Sequence, residues 1–160
     1  MNEERKTPEV VRVLDRMRVL CSRREYCSAD IRGKVLSALP ESSPDVIEWI
    51  IASLKKDKYL DDLRYASAFA RDKSAIIGWG TGKIKYALSV KKIDRPIIEA
   101  ALDGIDSGKA AGKLEKVLKN KYLSLKNDPA WRTKLIRFAL GRGYGYDETI
   151  AVLSTLHPSP

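Results

Sequence analysis

Two cysteines and one histidine are all that this 160-residue chain holds of the side chains that most often build metal sites and nucleophilic centres. Cys21 and Cys27 have no partner pair, and His157 stands alone in the tail, so neither a zinc site nor a histidine-based triad is expected. No nucleophile and base stand out elsewhere; the expectation is a protein that is not an enzyme and carries no cofactor. The chain also lacks a cleavable apolar leader and any uninterrupted apolar run of membrane-spanning length, which with so few cysteines predicts a reduced, cytoplasmic setting and no membrane contact. Strict alternation of apolar and polar residues is missing too, so no sheet is expected.

Helical periodicity is present throughout. Thr7-Pro8-Glu9 reads as cap, first-turn proline and acidic first turn, followed by Val10, Leu14, Met17 and Cys21 on one face. Ser28-Ala29-Asp30 opens a second helix that Pro40 stops, and Ser43-Pro44-Asp45 opens a third that runs to Lys55-Lys56. A new helix begins after Tyr59-Leu60-Asp61-Asp62, with Tyr65, Ala66, Phe69 and Ala70 on one face and the two aspartates at its start. A glycine-rich connection from Gly78 to Gly82 leads to a short fifth helix, and Asp94-Arg95-Pro96 caps a sixth. Asp106-Ser107 opens a seventh, Asn127-Asp128-Pro129 separates it from an eighth, and the last starts after Tyr146-Asp147.

An internal repeat is visible. Ile84, Leu88, Lys91, Ile93 and Ile98 find counterparts in Leu135, Ala139, Arg142, Tyr144 and Ile150, with one extra residue before the last. The expected fold is all-α: three tandem three-helix repeats, near 8–57, 61–103 and 107–156, stacked into an elongated, curved array with some flexing between units.

Several local motifs invite chemical readings that their context opposes. Asp61-Asp62 resembles an acid pair, but adjacent helical residues point about 100° apart and no further ligand is spaced to help, so capping is the better reading. Gly78 to Lys83 lacks the outer glycine and the Ser or Thr of a phosphate-binding loop, and no strand precedes it. A flexible connector is expected there, with Trp79 packed at the unit junction. Arg142-Gly143-Tyr144-Gly145-Tyr146 matches the start of an RNA-binding strand motif, yet it lies between helices. Its glycines are expected to end the eighth helix and turn Tyr144 inward.

Charge is the remaining signal. Thirty Lys and Arg stand against 21 Asp and Glu, a net charge of +9 that favours a polyanion or an acidic protein as partner. Three basic clusters fall one to each unit: Arg23, Arg24, Arg32 and Lys34; Lys83, Lys85, Lys91, Lys92 and Arg95; and Lys109, Lys113 and Lys116 on one face of the seventh helix. Stacked units can align such clusters along one groove.

Tyr59-Leu60-Asp61-Asp62 with Arg64-Tyr65-Ala66 and Phe69, the Gly80, Ile84 and Leu88 spacing, and Phe138 with Arg142-Gly143-Tyr144 together resemble the RecX family of bacterial regulators of the RecA recombinase. Lys92 stands where that family usually has glycine, and Tyr144 replaces a common phenylalanine. The resemblance implies tandem three-helix repeats whose junctions carry these motif residues. It also implies a monomeric partner of the RecA filament on single-stranded DNA, lowering its ATPase and strand exchange, with DNA binding of its own, to single and also to double strands. Two other classes of function fit the charge: a helical DNA-binding protein that competes for single strands, and a repeat adaptor for an acidic protein.

Overall fold

The computed structural model describes residues 7–156. Among them are nine α-helices and no strand: α1 (Pro8–Arg23), α2 (Ser28–Ala38), α3 (Pro44–Lys56), α4 (Asp62–Asp72), α5 (Thr81–Val90), α6 (Arg95–Asp103), α7 (Ser107–Leu125), α8 (Trp131–Gly141) and α9 (Tyr146–Leu156). Three starts are fixed by side-chain caps that satisfy amides with no intrahelical partner. Thr7 accepts from the Val10 amide at 3.3 Å, Asp61 from Arg64 at 2.9 Å and Asp106 from Lys109 at 2.9 Å. Proline occupies the first turn of α1, α3 and α6, where a missing N–H costs nothing.

The helices close around three apolar clusters. Leu14 and Met17 of α1, Ile31 and Val35 of α2, and Ile50 and Leu54 of α3 form the first, joined by Leu60 from the approach to α4. Ala66 and Ala70 of α4, Ile84 and Leu88 of α5, and Ile98 and Ala101 of α6 form the second. Leu114 and Leu118 of α7, Leu135 and Ala139 of α8, and Leu153 of α9 form the third, with Tyr144 beside them. Burial of each large aliphatic side chain contributes about 1.5–3 kcal/mol. The clusters interlock, because Cys27, from the turn before α2, is buried in the second.

Three helices end alike. After α3, α5 and α8 the chain enters the left-handed region at Lys58 (φ 63°), Lys92 (φ 58°) and Gly143 (φ 92°). The next amide reaches back to close the last turn: Tyr59 to the Leu54 carbonyl at 2.8 Å, Ile93 to Leu88 at 3.3 Å and Tyr144 to Ala139 at 3.1 Å. These are Schellman caps, which favour glycine at the left-handed residue. Only the third has it.

The structure departs from the sequence expectation in three places. Past α4 the chain does not loosen; it continues as a π-helical turn, Lys73–Ile77, before Gly78 stops it at φ 79°. Helix α5 already starts at Thr81, so Gly82 lies inside it. In the repeat, the fully buried counterpart of Ile98 is Thr149, at the same spacing as the other pairs and with no inserted residue. Its hydroxyl is satisfied by donating to the Gly145 carbonyl at 2.7 Å.

Candidate functional site

The residues singled out in the sequence fall into two joints and a set of basic faces. At the first joint, Asp62 does not cap its own helix. Its carboxylate accepts from the Ser28 amide at 2.8 Å and the Ser28 hydroxyl at 3.0 Å, and so caps α2, where Cys27 offers no side-chain cap. Arg64 pairs with Glu25 at 2.8 Å and donates to the carbonyls of Lys58 and Tyr59 at 3.1 and 3.4 Å. Across the same joint Lys91 meets Asp30 at 3.0 Å. Burial pushes the Asp30 carboxyl up, but the Lys91 ammonium and the Cys27 groups outweigh it and hold it below the usual carboxylate range. The hydrogen bond that Lys91 donates to Asp30 raises Lys91 in turn. Burial raises the thiols of Cys21 and Cys27, which suits buried packing rather than reactivity.

At the second joint, backbone lies on backbone. The Gly80 amide donates to the Arg142 carbonyl at 2.7 Å, and the Gly82 amide to Gly143 at 3.0 Å. A Cβ on Gly80 or on Gly143 would stand 2.3 Å from backbone atoms of the other segment. The Arg142 guanidinium and the Tyr144 hydroxyl each donate to the Gly78 carbonyl at 3.0 Å, and Arg142 also reaches the carbonyl of Ile77. These are carbonyls left open where the π-turn ends. The glycine-rich connection is therefore a docked joint in which Gly80 is needed for close approach, not a flexible spacer.

The half-buried rings of Tyr65 and Phe69 stack at 6.1 Å, and Phe69 meets Trp79 edge-on at 6.2 Å. Trp79 packs against this row within the second cluster and is also flanked by Lys73 at 4.7 Å and Lys83 at 4.6 Å. Composition gave no sign of that pairing, because Lys73 stands six residues before the ring and its approach depends on the π-turn.

Four of the basic residues are occupied. Arg32 forks onto Glu48 at 2.7 and 3.1 Å, Lys91 holds Asp30, and Lys85 and Arg95 share Glu99 at 3.3 and 3.6 Å. Arg23, Arg24, Lys34, Lys83, Lys92, Lys109, Lys113 and Lys116 have no salt-bridge partner among the described residues. Arg24 and Lys34 both lie over the Tyr26 ring, at 4.4 and 5.5 Å. Lys109, Lys113 and Lys116 line a groove between α7 and the π-turn, floored by Ala75 and Gly112. The geometry offers charge and rings for recognition. Among the described residues no helix is long and apolar enough to cross a membrane.

This architecture defines a helical-repeat protein that presents cations along successive helix groups. Residues 61–102 match the family model described as RecX, second three-helix domain. A "Regulatory protein RecX" of Streptococcus equi subsp. zooepidemicus is 32% identical over 114 residues, 71% of this chain and 44% of that protein. One of Clostridium botulinum is 36% identical over 107 residues, 64% of this chain and 50% of that protein. The chain spans about half the length of the curated relatives it matches. The crystal structure of RecX from Lactobacillus salivarius superposes with a TM-score of 0.83 at 21% identity, covering 92% of this chain and 96% of that one. The chain belongs to the RecX family.

Proposed function

We propose that this chain is a non-enzymatic cytoplasmic regulator that binds, as a monomer, to the RecA filament on single-stranded DNA and lowers its ATPase and strand-exchange activities. The stretches 8–57, 61–103 and 107–156 act as modules, each bringing a basic face to the filament. The observation that carries this reading is the set of cations in every module that have no salt-bridge partner among the described residues: Arg23, Arg24 and Lys34, then Lys83 and Lys92, then Lys109, Lys113 and Lys116. Free cations steer association with a polyanionic assembly and make it salt-sensitive. Regulation follows if the chain binds one filament state more tightly than another.

The test is ATP hydrolysis by the host's RecA on saturating single-stranded DNA, titrated with substoichiometric protein. A fall at low ratios supports action on the filament, and a fall only when the DNA is coated supports competition for strands. The latter reading draws on Trp79, an aromatic with two lysines against it. No effect at any ratio returns the chain to the adaptor class. The informative variant is Lys109→Glu with Lys113→Glu and Lys116→Glu. Reversing Lys91 or Lys85 would disturb ion pairs with Asp30 or Glu99 and confuse binding with folding.

A further inference from the structure

Between α1, the α1–α2 turn, α2 and the end of α5 lies an open cleft of about 740 Å³. Arg16, Arg24, Lys34 and Lys91 stand around it, with Tyr26 in its wall and Asp30 as its only carboxylate among the described residues. Lys91 already neutralises Asp30 at 3.0 Å. The other three cations have no salt-bridge partner among the described residues. The Tyr26 ring is half-buried against the first apolar cluster and therefore held in place, with Arg24 at 4.4 Å and Lys34 at 5.5 Å from its centre.

We propose that this cleft binds a free nucleoside triphosphate or diphosphate, its phosphates drawing Arg24 and Lys34 off the Tyr26 ring and resting on them and Arg16, its base taking their place over that ring. One feature favours a free nucleotide over a strand. Several cations gathered around a single ring match a compact, multiply charged phosphate chain, whereas a strand presents one charge per nucleotide and suits cations spread along a track. Arginine gives forked recognition of phosphate, free or in a strand, that a lone lysine does not. The proposal does not depend on RecA.

The test is calorimetric titration of the full chain with a non-hydrolysable ATP analogue, ADP, inorganic tripolyphosphate and a short oligothymidylate. Wild type is expected to bind the analogue at one site per chain. Arg24→Gln with Lys34→Gln, both exposed positions, is expected to weaken it at least tenfold with helicity unchanged by circular dichroism. Tyr26→Leu is expected to weaken the analogue severalfold and leave tripolyphosphate binding as it was. Because Tyr26 packs on the core, the double variant decides the matter if Tyr26→Leu unfolds. Binding of the oligothymidylate alone, equal losses from Lys109→Gln with Lys113→Gln, or no nucleotide binding at millimolar concentration would each overturn the proposal.

Discussion

The backbones of Gly80 and Gly143 touch so closely that a Cβ on Gly80 would lie 2.3 Å from the Gly143 carbonyl carbon. The obstacle is main chain, so no rotamer relieves it. Gly80→Ala is expected to cost roughly 3 kcal/mol or more, read from urea unfolding, and to raise hydrogen exchange first in α7–α9. Gly112→Ala, inside α7 with nothing within 4 Å of its Cβ, is expected to stabilise by about 1 kcal/mol. Equal effects of the two changes would show that the contact is not made in solution.

Lys92 occupies the left-handed position of a Schellman cap that Gly143 fills in the repeat. A side chain there costs about 1–2 kcal/mol, partly offset by the greater freedom of glycine in the unfolded chain. Lys92→Gly is therefore expected to raise stability by roughly 0.5–1 kcal/mol, seen as a higher urea midpoint at unchanged slope. A lower midpoint would mean that the lysine makes compensating contacts.

Arg142 and Tyr144 converge on the Gly78 carbonyl. A lysine lacks the fork that also reaches Ile77, so Arg142→Lys is expected to cost about 1–2 kcal/mol and Tyr144→Phe about 1 kcal/mol. Since both serve one acceptor, a double-mutant cycle should show clear coupling. Strict additivity would argue against the shared contact.

The Asp30–Lys91 pair sets a pH window. The folded carboxyl titrates below its usual range, so its contribution is present above the unfolded value and lost as pH falls through the folded one. For the raised Lys91 the contribution is present below the ordinary lysine value and fades as pH rises through the folded one. Lys91 is 41% exposed, which limits the pair to about 0.5–1 kcal/mol. The stability gap between wild type and Asp30→Asn should hold through neutral pH and close in acid below the carboxylate range. A gap unchanged in strong acid would assign the effect to packing.

Much of the fold was legible because it is written locally. Thr7 and Asp106 mark helix starts by taking up unpaired amides, Pro44 and Pro96 mark them by lacking one, although Asp94 makes no side-chain cap of its own, and the apolar spacing marks the buried faces. Contacts between distant segments were not legible in the same way. Nothing near Asp62 says that it caps a helix 34 residues earlier in the chain, and nothing near Lys91 points to Asp30. The π-turn was hidden because Ile76 and Ile77, 67% and 46% exposed, give no periodic signal for a buried face. The basic residues could be counted, but which of them are held by carboxylates is decided by tertiary packing.

The π-turn at Lys73–Ile77 also acts as a phase setting. A π-turn holds one residue more than the α-turn it replaces. Removing a single residue there would restore the ordinary winding and leave the chain after it close to its present heading, whereas removing one from the α-helical part of α4 would swing everything after it by about 100° around the α4 axis. The docking of Gly80 on Gly143 depends on that heading. One-residue length changes at the π-turn are thus taken up where they occur, while the same change inside α4 would steer the C-terminal helices as a whole.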